Sequence, residues 1–177
     1  MYAVGHTALS MQGKCLAAVL ACGPRALLSH VSAAWLWGVS RRSPVPFEVT
    51  ARTSQAPKPS IVLHRSRVLR EEDRALCEGI PATSLPRTLL DVSAAGRFEH
   101  LRRMLERAEE LRIFDLRAVE ALLARSQGHP GVGRLRRALA LYRPVPFTRS
   151  GLERRFLEVA ADAGLPPPCD RLQRGWI

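Results

Sequence analysis

Apolar residues recur at helical spacing through most of this chain and alternate in strand fashion over one short stretch only. From Phe98 onward the pattern is helical. Phe98, Leu101, Leu105 and Ala108 make one stripe, Leu116, Val119, Leu122 and Leu123 a second, and Leu135 with Leu139 a third. Repeats of three and four residues put such positions on one face of a helix. Phe114-Asp115 and Gly128 to Gly133 separate the stripes, and links this short predict antiparallel neighbouring helices. Earlier, Met11 to Cys22 predicts a helix with Leu16, Val19 and Leu20 on one side, closed by Gly23-Pro24. Ser29 is placed to cap a short helix through Trp37, with Val31, Ala34, Trp35 and Leu36 apolar and Gly38 ending it. Thr83 or Ser84 caps another, which accepts Pro86 in its first turn and carries Leu89, Leu90 and Val92.

Phe47 to Thr53 alternates as a strand, and Ile61 to His64 is a second strand beyond the Pro-containing loop Ala56 to Ser60. These two are expected to pair. Arg41 to Pro46 is a turn-rich link, Arg70 to Arg74 a charged loop, and Cys77 to Ile80 a short third strand. Tyr2-Ala3-Val4 reads as the end of a strand whose partners would precede Met1, since three residues at a free terminus do not pair alone. The last pattern opens at Ser150, where Ser150 and Glu153 fit an S-x-x-E capping box. Leu152, Phe156, Val159, Ala160 and Ala163 follow at helical spacing, and Gly164-Leu165-Pro166 ends the helix near Ala163. The expected fold is α+β: a small mixed β-sheet with helices, then a helical region, then an orphan C-terminal helix. The expected organisation is an α+β unit over 1–96, a basic helical region over 97–143, and the truncated start of a further domain over 149–177.

Composition sharpens this picture at one point. With 177 residues, 46% of them hydrophobic, the chain can bury a genuine core. Its formal net charge is +11, and Lys14 and Lys58 are the only lysines among 27 basic residues. An arginine bias of this kind follows from a GC-rich genome as readily as from selection for nucleic acid. The charge is uneven, with a net +5 over residues 1–96, +7 over 97–155 and −1 over 156–177. A basic middle suits phosphate contacts through counterion release, and it equally suits a solvated, arginine-laced helical surface.

Candidate chemistry is sparse. Cys15, Cys22, Cys77 and Cys169 form no C-x-x-C pair and have no histidine at zinc-site spacing, so a reduced cytoplasmic setting fits and no metal or cofactor is expected. Leu16 to Cys22 looks like a lipoprotein signal, but its apolar core is short and residues including Gly5, His6 and Gln12 precede it. No apolar run reaches transmembrane length. Ser29, His30 and Ser32 invite a nucleophile-and-base reading, yet adjacent helix residues point apart. Ser29 reads as a cap and His30 as a hydrogen-bonded structural residue. Trp35 and Trp37 offer a stacking platform for bases, although Trp35 on a short apolar helix is more simply core.

Gly128-His129-Pro130-Gly131-Val132-Gly133 is glycine-rich but lacks a preceding strand and a Lys-Ser/Thr pair, so it reads as a turn and not a phosphate loop. Arg134, Arg136 and Arg137 open the next helix, at the positive end of its dipole, where cations gain nothing locally. That conflict makes them the candidate nucleic-acid contacts. Glu153 is the candidate for a residual nuclease acid, but a lone carboxylate does not hold a catalytic magnesium, and Glu158 does not converge with it on the helix. Catalysis by this chain is not expected.

Three segments together carry a family resemblance: Tyr2-Ala3-Val4-Gly5-His6; Leu28-Ser29-His30-Val31-Ser32-Ala33-Ala34-Trp35-Leu36-Trp37-Gly38; and Gly79-Ile80-Pro81-Ala82-Thr83 with Arg87-Thr88-Leu89-Leu90-Asp91. They resemble the AbiEi-type antitoxin and transcriptional-regulator proteins of actinobacteria. In many of these a winged helix precedes this region and a very-short-patch-repair-like endonuclease domain follows it. Ser150, Leu152, Glu153, Phe156, Leu157 and Gly164-Leu165-Pro166 resemble that domain's first helix. The resemblance implies a non-catalytic antitoxin or regulator that binds DNA or a cognate toxin protein, with both ends of the chain truncated. The alternatives are an endonuclease-family protein lacking most of its active site and an inactive gene remnant.

Overall fold

A computed structural model of the chain describes residues 9–52, 60–66, 69–141, 159 and 163–164. The chain divides into two compact units, Met1–Tyr142 and Arg143–Ile177. In the first, the element order is α1 (Met11–Ala21), β1 (Leu27–Leu28), α2 (His30–Leu36), β2 (Phe47–Ala51), β3 (Ile61–Arg65), a 3-10 turn (Glu71–Asp73), β4 (Arg74–Cys77), β5 (Ile80–Thr83), α3 (Leu85–Ala95), α4 (Phe98–Glu110), α5 (Leu116–Arg125) and α6 (Val132–Leu141). The strands form one sheet in the order β3-β2-β1-β5-β4. Pairing is antiparallel for β1–β2 and β4–β5 and parallel for β1–β5 and β2–β3, so the sheet is mixed and the fold is α+β.

Two apolar cores lie within this unit. One joins Cys15, Ala18 and Val19 of α1 to Phe47, Val49 and Ala51 of β2 and to Ile80 and Ala82 of β5. Ser10 caps α1, its hydroxyl accepting the Gly13 N–H at 3.1 Å. Leu20, expected beside Leu16 and Val19, is instead 52% exposed. The buried stripe is Cys15, Ala18, Val19 and Cys22, whose small side chains let the helix backbone come close to the sheet. The second core is built around α3, with Leu85, Leu89, Leu90 and Val92 meeting Leu101, Met104 and Leu105 of α4, Val119, Leu122 and Leu123 of α5, and Leu135 and Ala138 of α6.

Three local expectations change in the structure. Cys77 to Ile80 is a hairpin turn, not a strand: Glu78 (φ 50) and Gly79 (φ 76) both take left-handed backbone, the geometry that reverses β4 into β5 without splaying them. The β2–β3 pair forms, but in parallel, with Phe47 opposite Ile61 and Ala51 opposite Arg65. The consecutive helices are not each other's main neighbours: α4, α5 and α6 all pack on α3, and α4 packs equally on α6. The apolar face of α3 outcompetes the faces of the consecutive helices.

In the second unit, Ala163 N–H donates to the Val159 carbonyl at 2.9 Å and Gly164 has φ 69, which is a helix end where the sequence places one. Val159 and Ala163 apart, the rest of that helix, with Ser150 and Glu153, lies outside the described residues, as does the strand expected at Tyr2 to Val4.

The turn entering α6 touches α3 closely. A Cβ at Gly131 would collide with the Leu90 carbonyl oxygen and the Ser93 hydroxyl, whereas one at Gly133 would meet nothing. Gly131→Ala is therefore expected to destabilise the protein by about 1–3 kcal/mol, and Gly133→Ala to stabilise it by up to about 1 kcal/mol. Urea unfolding of the two variants checks the opposite signs.

Candidate functional site

Strand alternation sorts the side chains of β2. Phe47, Val49 and Ala51 enter the core shared with α1, which leaves Glu48 and Thr50 on the opposite face. Thr50 pairs with His64 in the parallel register, so His64 shares that face, and its Nε2 lies 3.2 Å from Glu48 Oε1. The other carboxylate oxygen, Oε2, accepts the Val31 N–H at 2.7 Å. Glu48 thus caps α2 from a neighbouring strand. Ser29 occupies the cap position expected of it, but its side chain makes no capping bond; its hydroxyl lies 3.0 Å from His30 Nδ1 instead. The Ser32 hydroxyl donates to the Pro44 carbonyl at 2.7 Å and accepts the Glu48 N–H at 2.9 Å, so it is committed to structure.

His30 stacks on His64 with ring centroids 3.6 Å apart and planes inclined by 18°. Its backbone is left-handed (φ 51), an uncommon state for a residue with a Cβ. Burial lowers the His30 pKa, with the neighbouring His64 acting in the same direction and Asp91 opposing it. Burial raises the pKa of Glu48, but the His64 and Val31 hydrogen bonds outweigh it and hold the carboxyl below its usual value.

The Asp91 that His30 senses belongs to a buried ion network. Arg87 Nε donates to Asp91 Oδ1 at 2.8 Å, and its Nη1 lies 3.6 Å from Asp73 Oδ2. Arg125 Nη2 donates to Asp73 Oδ1 at 2.6 Å, and His129 Nε2 lies 3.4 Å from Asp91 Oδ1. Asp73 is wholly buried. Two carboxylates and two guanidiniums here join the 3-10 turn before β4, α3 and α5, while His129 adds the α5–α6 link. Two of the sequence segments that carried the family resemblance, Leu28 to Gly38 and Gly79 to Asp91, meet nearby: Trp37 Nε1 donates to the Thr83 carbonyl at 2.9 Å, and the Thr83 and Thr88 hydroxyls are 2.7 Å apart. Nothing in the local sequence pattern marked Asp73, Arg125, Glu48, His64 or His129. Their partners lie between 16 and 52 residues away.

The three arginines expected to meet phosphate divide in role. Arg134 Nη1 donates to the carbonyls of Ser93 and Gly96, both at 2.8 Å. The expectation that it gains nothing locally therefore fails, because the side chain leaves its own helix and satisfies the negative C-terminal end of α3. Arg137 lies over the Phe98 ring, 5.4 Å from its centroid. Arg136 is exposed. Phe98, Gly133, Arg134 and Arg137 line an open cleft of about 390 Å³. Glu153, the candidate nuclease acid, lies outside the described residues.

Removing one member of the ion network leaves its partners charged and buried. Arg87→Met is expected to cost about 3–5 kcal/mol of stability in a denaturant titration. Asp91 has a second, pH-dependent signature. Burial raises its pKa, but His129 and Arg87 overcome this and hold it below its usual 3.8. A carboxyl depressed in the folded state contributes stability above its unfolded value and loses it as the pH falls through the folded one. Denaturant midpoints measured from neutral pH down to about pH 3 should fall more gently for Asp91→Asn than for the unaltered protein in the acid range below the usual carboxylate value; parallel curves would show that Asp91 carries no such linkage.

Among the described residues no helix is long and apolar enough to cross a membrane. No curated protein and no solved structure matches the chain. The family described as the AbiEi antitoxin C-terminal domain matches residues 25–141, from just before β1 to the end of α6. That span contains the sheet, the ion network and the arginine-lined cleft. The chain belongs to the AbiEi antitoxin C-terminal domain family, and this membership supports an antitoxin or regulatory role.

Proposed function

We propose that this is a non-catalytic antitoxin or regulator domain that binds nucleic acid through the basic helical surface, with Arg136 and Arg137 as phosphate contacts and Arg134 as a positioning residue beside them. The observation that carries this reading is the cleft between Phe98 and Arg137. A guanidinium laid on an aromatic ring is held in place before a ligand arrives, and it keeps its donors for planar or phosphate groups. Arg134, fixed by two carbonyls, adds a second positive charge at the rim. Arg97 before α4, Arg103 on α4 and Arg117 on α5 are exposed as well. By contrast, Arg102 and Arg107 are occupied by Glu99, Glu106 and Glu110.

A cognate toxin presenting an acidic surface is the competing partner. The endonuclease alternative rests on Glu153 alone, and one carboxylate is too few for a catalytic magnesium. Fluorescence anisotropy of the full chain with labelled duplex DNA at several salt concentrations separates these readings. Arg136→Gln with Arg137→Gln should weaken binding and reduce the slope of log K against log salt by about one for each phosphate that is no longer neutralised. Arg134→Gln should lower stability as well, since it strips the α3 carbonyls of their donor. An unchanged slope in the double variant would remove Arg136 and Arg137 from the interface. No binding at low salt would transfer the role to a protein partner.

A further inference from the structure

The face of β2 and β3 that carries Glu48 and His64 meets the first residue of α2, His30. One donor atom from each of these three residues lies within 4.8 Å of the others. The second sides of two of them are already fixed. Ser29 Oγ sits 3.0 Å from His30 Nδ1, and the Val31 N–H holds Glu48 Oε2 at 2.7 Å. The donor atoms left are the Nε2 of His30 and the facing pair Glu48 Oε1 and His64 Nε2, 3.2 Å apart. Outer hydrogen bonds on the non-ligating atoms are the arrangement that orients metal-binding imidazoles and carboxylates. The left-handed backbone of His30 is an independent sign (φ 51), since such strain costs about 1–3 kcal/mol and concentrates at ligand sites.

We propose that His30, Glu48 and His64 form a binding site for a divalent first-row transition ion of the zinc class, with His30 Nε2, His64 Nε2 and Glu48 Oε1 as its ligands. Two imidazoles and one carboxylate suit zinc, cobalt or nickel better than magnesium or calcium, which prefer an all-oxygen shell. Three protein donors leave a further coordination position for water. One ion cannot lie in the planes of two rings stacked 3.6 Å apart, so binding turns one imidazole. His64 is the one that turns, because its side chain is 31% exposed and Ser29 holds His30. The ion takes the place of the His64–Glu48 hydrogen bond, which leaves Nδ1 as the imidazole atom that faces away from the ion. The site would tie the start of α2 to the two strands beneath it, independently of what the arginine surface binds.

The test is a titration of the full chain, stripped with chelator and dialysed, with cobalt(II) followed by visible absorption and with zinc(II) followed by calorimetry. One equivalent should bind and give the d–d bands of a low-coordinate N/O site. His64→Ala and Glu48→Gln each remove a ligand and should weaken binding by at least about 10-fold, the loss typical of even an outer-shell partner, while His100→Ala, which lies outside the cluster, should leave it unchanged. Circular dichroism confirms that each variant is folded, and His64→Gln, which preserves side-chain bulk, serves if the alanine variant is not. Absence of stoichiometric uptake, unchanged affinity in the folded His64 and Glu48 variants, or a thiolate-to-cobalt charge-transfer band marking cysteine ligation would each overturn the site.

Discussion

Helix α3 is buried along most of its length, and every polar side chain it carries inward has to be answered by another element. Arg87, Thr88, Asp91 and Ser93 are all buried, and an unpaired polar group in that position costs more than a typical hydrogen bond returns. Asp73 answers Arg87 from the turn before β4, Thr83 answers Thr88 from the end of β5, and His129 answers Asp91 from the link between α5 and α6. The Ser93 hydroxyl lies 2.9 Å from the Gly131 carbonyl. The sheet and the α5–α6 link are thereby held in register around one helix by groups that tolerate little displacement, while α4 meets it through apolar contacts.

The same constraint governs how the high arginine content is used. Arg87 and Arg125 neutralise buried carboxylates, and Arg134 closes the end of α3. Arg102 and Arg107 pair with surface glutamates, so fewer still are available for an external anion. A count of basic residues therefore overstates the phosphate-binding surface, and the division between internal and external arginines sets which side chains an interface can use. Arg137 is one of the exposed arginines, and it lies over Phe98 at the start of α4.

Glu48 shows how a structural task and a chemical one can share a residue. Its carboxylate caps α2 through Val31 and faces the stacked pair His30 and His64. Capping by a carboxylate at a helix N-terminus is favourable by itself, so the cap does not require a ligand. The strained His30 backbone is what distinguishes this corner from an ordinary cap.

The sequence by itself determined the α+β class, the positions of α1 and of α3 to α6, the end of α2 at Gly38, and the family. These are properties of short windows: helical periodicity, glycine and proline punctuation, and contiguous family segments. Only the tertiary structure decided the parallel pairing of β2 with β3, the two-residue strand Leu27–Leu28, the hairpin at Glu78-Gly79, and the exposure of Leu20. It also decided every ion pair that reaches α3 from another element, and the meeting of His30, Glu48 and His64. A two-residue strand has no period to detect, and a sheet edge accepts either strand direction until the rest of the core is placed. A charge reveals whether it is solvated or paired only when its partner arrives, and the Arg125–Asp73 pair closes across 52 residues. Local physics wrote the elements; the burial of α3 chose their partners.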